Sequence, residues 1–249
     1  MRPSLVPNAL FAMPTAVEAE LVRQVERACA LHDARAASPK LAAALDRLAA
    51  WQTRRLNATY ADLAAKPRYA RATAFFSSDL YGPGDFSQRD ADLARVVPLM
   101  TKVLPQGMIA TISGAMELSA LSRELDRALL AELPPRATLS VPTYCAAYRA
   151  LANRDVRERQ IELIVAVGRA LDRYVNNRLI RSALAAMRQP AHLAGLGALQ
   201  DFLERGFAAF RGMRGADEFL ATVESRELEL VNAIFAGDNE PFPEPDANA

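Results

Sequence analysis

The chain has 249 residues, 51% of them apolar, with 30 basic and 29 acidic residues for a formal net charge of +1. It can bury a core without help from a partner, and it lacks the charge bias that draws a protein to polyanions, so nucleic acid is not an expected partner. Only Lys40, Lys66 and Lys102 among the basic residues are lysine, which with the heavy use of alanine resembles coding composition rather than a phosphate-binding surface.

The opening MRPSLVPNALFAMPTA carries one basic residue, and Pro3, Pro7 and Pro14 interrupt its apolar stretch, leaving an uncharged run too short for a secretory signal. Thr15 with Glu18 makes a capping-box start, and Val17, Leu21, Val25, Ala28 and His32 recur at helical spacing, which predicts a helix over 15–36. Ser38-Pro39 starts a second, whose stripe of Leu41, Ala44, Leu45, Leu48, Leu56 and Leu63 runs to about residue 65. Pro67 opens a third helix, stopped by Gly82-Pro83-Gly84. There Ala72, Phe76 and Leu80 share a stripe and Asp79 turns partly inward. A fourth begins at Ser87, with Asp90 at capping-box spacing.

Beyond Leu104-Pro105 a helix is predicted over 107–132, ending at Pro134-Pro135, and RATLSVP leads to a short helix near 142–152. The longest runs from Arg154 to about Met187. Its opening RDVRERQ is a solvated start, and its middle, IELIVAVGRALDRYV, is apolar on nearly every side, as in a helix surrounded by others. Helices near 191–211 and 215–236 follow, and the acidic, proline-rich tail 237–249 is expected to be disordered. No strand alternation, fixed-period repeat or long linker interrupts the series. The fold class is all-α: a single domain over 1–236, a bundle of about eight or nine mostly antiparallel helices around a central long helix.

Cys29 and Cys145 lie far apart without CxxC spacing, so no disulfide framework or zinc site is indicated, and a reducing, cytoplasmic compartment is expected. No run reaches the ~18–20 apolar residues of a membrane span. Neither His32 nor His192 has a glutamate three residues before it, which disfavours a di-iron carboxylate site. His32 reads as a core or cap residue and His192 as exposed, while Cys29-x-x-His32 offers only two ligands. Cys145 lies in no nucleophile elbow, no phosphate loop is present, and the glycines of GLGALQ at 195–200 read as close-packing positions in a helix.

Three ionisable residues fall on apolar stripes. The seam Ile164, Gly168, Leu171, Val175 continues through Arg178 to Ser182, Glu227 lies in the stripe of Leu220, Val223, Leu230 and Ile234, and Asp79 is the third. Buried charges need partners, so these residues are expected to form structural ion pairs, with one another or with neighbours. The alternative makes Asp79, Tyr81, Arg178 and Glu227 the lining of a ligand cavity, with Arg178 binding an anionic group. Two functions follow. The simpler is a non-catalytic protein that associates with a protein partner or itself. The other is a bundle with a buried small-molecule or cofactor pocket, with the ligand, and any reaction, left open by the sequence.

FFSSDLYGPGDFSQRD at 75–90, followed by RVVPLMTKVLP, resembles a family of uncharacterised bacterial helical proteins with an FFxxDLYG segment followed by DFxxRD. AFRGMRGADEFL and IFAGDNEPF are similar to that family's C-terminal end. The resemblance runs from about residue 67 and implies a helical bacterial protein; it implies no activity and no site residues.

Overall fold

A computed structural model describes residues 14–80, 86–134 and 138–245. Among them are eleven α-helices, one π-helical turn and no strand. Thr15 accepts from the Glu18 amide while the Glu18 carboxylate takes the Thr15 N–H, so α1 (Ala16–Ala36) starts with the expected capping box. Ser38 accepts from the Leu41 amide and Pro39 fills the first turn of α2 (Pro39–Thr59). Tyr60 ends that helix, and the short α3 (Ala61–Ala64) follows after a sharp turn.

The third predicted helix is shorter than expected and ends in a wider turn. α4 (Ala70–Phe75) passes into a π-turn over Phe76–Leu80, where Ser77 and Ser78 turn their hydroxyls back onto the Thr73 and Ala74 carbonyls. Such back-bonding competes with the ladder and loosens the coil. Residues 81–85, with the Gly82-Pro83-Gly84 stop and Tyr81, lie outside the described residues. α5 (Ser87–Val103), α6 (Gln106–Glu132) and α7 (Val141–Ala150) match expectation to within about two residues.

The long helix predicted over 154–187 is two helices. α8 (Arg154–Val175) stops at Asn176, and Asn177 caps α9 (Arg178–Leu193) by accepting from the Leu179 and Ile180 amides. An asparagine carbonyl thus ends one helix and starts another within an unbroken helical pattern. GLGALQ lies at the next break. Gly195 adopts φ +69°, which favours glycine, and Gly197 opens α10 (Gly197–Met213) so close to His192 that a Cβ would lie 2.8 Å from its Nδ1. α11 (Asp217–Phe235) completes the bundle.

α6 and α8 form its middle. Gln160 donates to Ser122, Thr111 lies 3.4 Å from the Tyr174 hydroxyl and Gly114 faces Val167, so the two run antiparallel. α1 packs along α6, α11 along α8, and α10 joins α4, α5 and α8. Of the tail expected to be disordered over 237–249, residues 246–249 lie outside the described residues, and 237–245 lie on the bundle. Phe242 meets Trp51 at a tilt and Tyr144 edge-on, and Glu244 takes hydrogen bonds from the Trp51 indole and the Val141 amide. One aromatic and one carboxylate fit sites left open by α2 and α7, which outweighs the composition of the segment.

Candidate functional site

A cavity of about 440 Å³ lies between the helices, and its walls are sorted along the central pair. On α6 the lining positions Ile112, Ala115, Met116 and Leu118 give way to Ser119, Ser122, Arg123 and Asp126. On antiparallel α8, the apolar run Ile161, Ile164, Val167 and Leu171 is preceded by Arg157 and Gln160. The two polar stretches meet at one end, where Gln160 reaches Ser122, and the apolar stretches face each other towards the other. Phe75, Phe76 and Leu80 add further apolar wall.

The charged groups of the polar end are mostly engaged. Asp90 on α5 is 1% exposed, accepts from His32 and Arg89 at 2.9 and 2.8 Å, and forms an ion pair with Arg123 at 3.3 Å. Burial pushes its carboxyl up, but the His32 hydrogen bond and the two arginine charges outweigh this and hold it at about 2. A carboxylate only accepts, so His32 carries its proton on Nε2. His32 is the satisfied core residue that its place on the α1 stripe suggested. Asp90 is no capping residue: α5 has no side-chain cap. Its neighbour Asp92, fully buried, accepts from Gln88 and reaches the Leu199 amide at 3.4 Å, supplying α10 with the cap its own sequence lacks.

Glu227 lies in the cavity wall and is held in an ion pair, through a partner the sequence did not suggest. Arg55 on α2 holds it by two nitrogens at 2.7 and 3.3 Å, and the Tyr60 hydroxyl donates to it at 2.8 Å. Asp126 accepts from Gln52 at 3.0 Å, and burial pushes its carboxyl above the usual range. Tyr144 and Tyr148 are likewise pushed up by burial, so both keep their protons at neutral pH.

The other expected site residues lie elsewhere. Asp79 is bound by Arg205 of α10 at 2.6 and 2.8 Å, and Arg178, at the first turn of α9, is exposed because the seam that carried it inward stops at Val175. The structure therefore does not bring Asp79, Arg178 and Glu227 together. Tyr81 lies outside the described residues. Among the described residues no three His, Cys, Asp or Glu side chains converge as metal ligands.

Arg157 is the residue that sequence reasoning missed. Taken for part of a solvated helix start, it is 4% exposed, with its guanidinium carbon 4.2 Å from the centre of the Tyr148 ring. Its Nε and Nη2 are buried and meet no acceptor among the described residues. The signal was available. Positions 157, 161, 164, 168, 171 and 175 form one stripe at helical spacing, and the seam that begins at Ile164 extends back through Ile161 to the arginine.

Residues 31–241 match the family described as a domain of unknown function, DUF8198. The chain belongs to DUF8198. The cavity lining runs from Leu31 to Val231, so the whole of it falls within the DUF8198 match, which also begins well before residue 67. No curated protein and no solved structure matches this DUF8198 chain. No helix among its described residues is long and apolar enough to cross a membrane.

Proposed function

We propose that the protein is a ligand-binding bundle that holds a small molecule in the cavity along α6 and α8. The observation that carries this reading is the cavity itself. At about 440 Å³ it falls in the ~300–1,000 Å³ range of small-molecule sites, and along α6 and α8 it combines an apolar wall with charged and polar groups gathered towards one end. The titratable groups around it suit holding rather than proton transfer. Asp90 stays ionised and saturated with donors, while Tyr144 and Tyr148 stay protonated.

Native mass spectrometry of the purified protein, compared with its denatured mass, tests the reading. An excess mass that leaves on denaturation is expected, and Ala115→Phe, which fills the space between α6 and α8, should abolish it. A bare chain that also binds no apolar probe overturns the reading.

Self-association is the second reading, and α9 favours it. Leu179 and Leu193 lie on one stripe of that helix and are 80% and 82% exposed. A second copy covering this face would give a dimer in light scattering that Leu179→Glu dissociates; a monomer at all concentrations removes the reading.

A further inference from the structure

The proposed pocket has a direction and a vacant charge, and together these specify a ligand class. Six arginines line it, Arg35, Arg55, Arg89, Arg123, Arg127 and Arg157, against three carboxylates, Asp90, Asp126 and Glu227. Asp90 is taken by Arg89 and Arg123, Glu227 by Arg55, and Asp126 makes its hydrogen bond to Gln52 rather than an ion pair with Arg157.

Arg157 is left with Nε and Nη2 both without an acceptor. These two nitrogens share one edge of the planar guanidinium, and their parallel N–H bonds match the two oxygens of a carboxylate. Burying such donors unpaired is costly, and an acceptor brought by a ligand removes that cost. One free edge suits one negative charge. A phosphate dianion would need further cations, and Arg35, Arg55, Arg89 and Arg123 are already paired with Asp46, Glu227 and Asp90.

The wall beyond Arg157 fixes the rest of the ligand. From Arg157 to Leu171 the lining of α8 extends fourteen residues, about 21 Å at 1.5 Å per residue, and after Gln160 it has no polar side chain. Facing it, the α6 lining is apolar at Ile112, Ala115, Met116 and Leu118, with Thr111 beyond them. We propose that the cavity takes a long-chain monocarboxylate, its carboxylate paired with the Nε and Nη2 edge of Arg157 and its hydrocarbon chain laid between α6 and α8 towards Leu171. This rests on the pocket reading given above and names its ligand.

The test titrates the delipidated full-length protein with hexadecanoate and, separately, with hexadecanol, which has the same chain without the charge. Hexadecanoate is expected to bind at least ~10-fold more tightly, the difference a charge-assisted bidentate pair makes. Arg157→Gln should bring the acid down to the affinity of the alcohol, and Arg157→Lys should restore part of the gap. Equal binding of acid and alcohol by the unaltered protein, blocked by Ala115→Phe, overturns the assignment of the carboxylate and leaves the pocket standing. Binding of neither overturns both. The acid and alcohol comparison uses the unaltered protein, so it decides the matter even if Arg157→Gln does not fold.

Discussion

His32 Nε2 donates to Asp90 Oδ2 across 2.9 Å, joining α1 to α5 over 58 positions of chain. With Arg89 and Arg123 on the same carboxylate, Asp90 is a hub to which two helices besides its own are fastened. Asp90→Asn leaves two partly buried guanidinium groups without their counter-charge, and a loss of about 3–5 kcal/mol is expected. Urea unfolding followed by circular dichroism measures it; a loss under ~1 kcal/mol would show the hub to be dispensable.

The same carboxylate sets an acid limit. Held at about 2 in the folded chain against ~3.9 for an ordinary aspartate, Asp90 binds fewer protons folded than unfolded between those values. Its contribution is therefore complete above about pH 4 and lost as pH falls through about 2. Melting temperature plotted against pH should fall steeply in that window, and Asp90→Asn should flatten the fall.

Asp126 has the opposite sign. Burial raises its carboxyl, so the folded chain retains a proton that the unfolded chain has released, and stability falls as pH rises through that interval. Asp126→Asn removes this penalty and keeps an acceptor for Gln52. Above the interval the variant should melt higher, by ~2–4 °C for each kcal/mol recovered, and the advantage should shrink in acid. A lower melting temperature at neutral pH would show that the charge itself is needed.

The Arg55 and Glu227 pair is testable by a cycle. Their side chains are 12% and 17% exposed, and Glu227→Gln strands the Arg55 charge at an expected cost of about 3–5 kcal/mol. Arg55→Met combined with Glu227→Gln should recover part of it, since the stranded charge is gone. Additive losses would mean that the two residues act separately.

Gly168 on α8 faces Leu220 on α11 so closely that a Cβ would lie 2.5 Å from Leu220 Cδ2. Leu220 is fully buried, and its Cδ1 and Cγ would also lie within 3.4 Å of that Cβ. Gly168→Ala should cost about 1–3 kcal/mol in chemical denaturation, and Leu220→Ala in the same chain should relieve the strain.

Helix starts with local chemistry were legible in the sequence: Thr15 with Glu18, and Ser38 with Pro39, bond within four residues of themselves. The stripe of α1 likewise gave Leu21, Val25, Ala28 and His32 as its buried face. What periodicity could not show is which long-range partner a charge finds. Asp90 had capping-box spacing and went to His32 and Arg123 instead, and Glu227 paired across 172 positions with Arg55. The Asn177 cap was hidden because LIRSALAAM continues a helical pattern, so Arg178 was assigned to a face that ends before reaching it. Arg157 was obscured by its charged neighbours, although the stripe through Ile161 and Ile164 already included it.

Glu244 also gives the protein a built-in optical gauge. Trp51 is the sole tryptophan of the sequence, and its indole N–H reaches Glu244 while Phe242 lies against its ring. Removing the chain from Phe242 onward would uncover that indole to water, so its emission should shift to the red without any label being attached. Loosening of the tail, whether by salt, denaturant or a change at α7, can then be followed as a change in colour, separately from the unfolding of the helices beneath it.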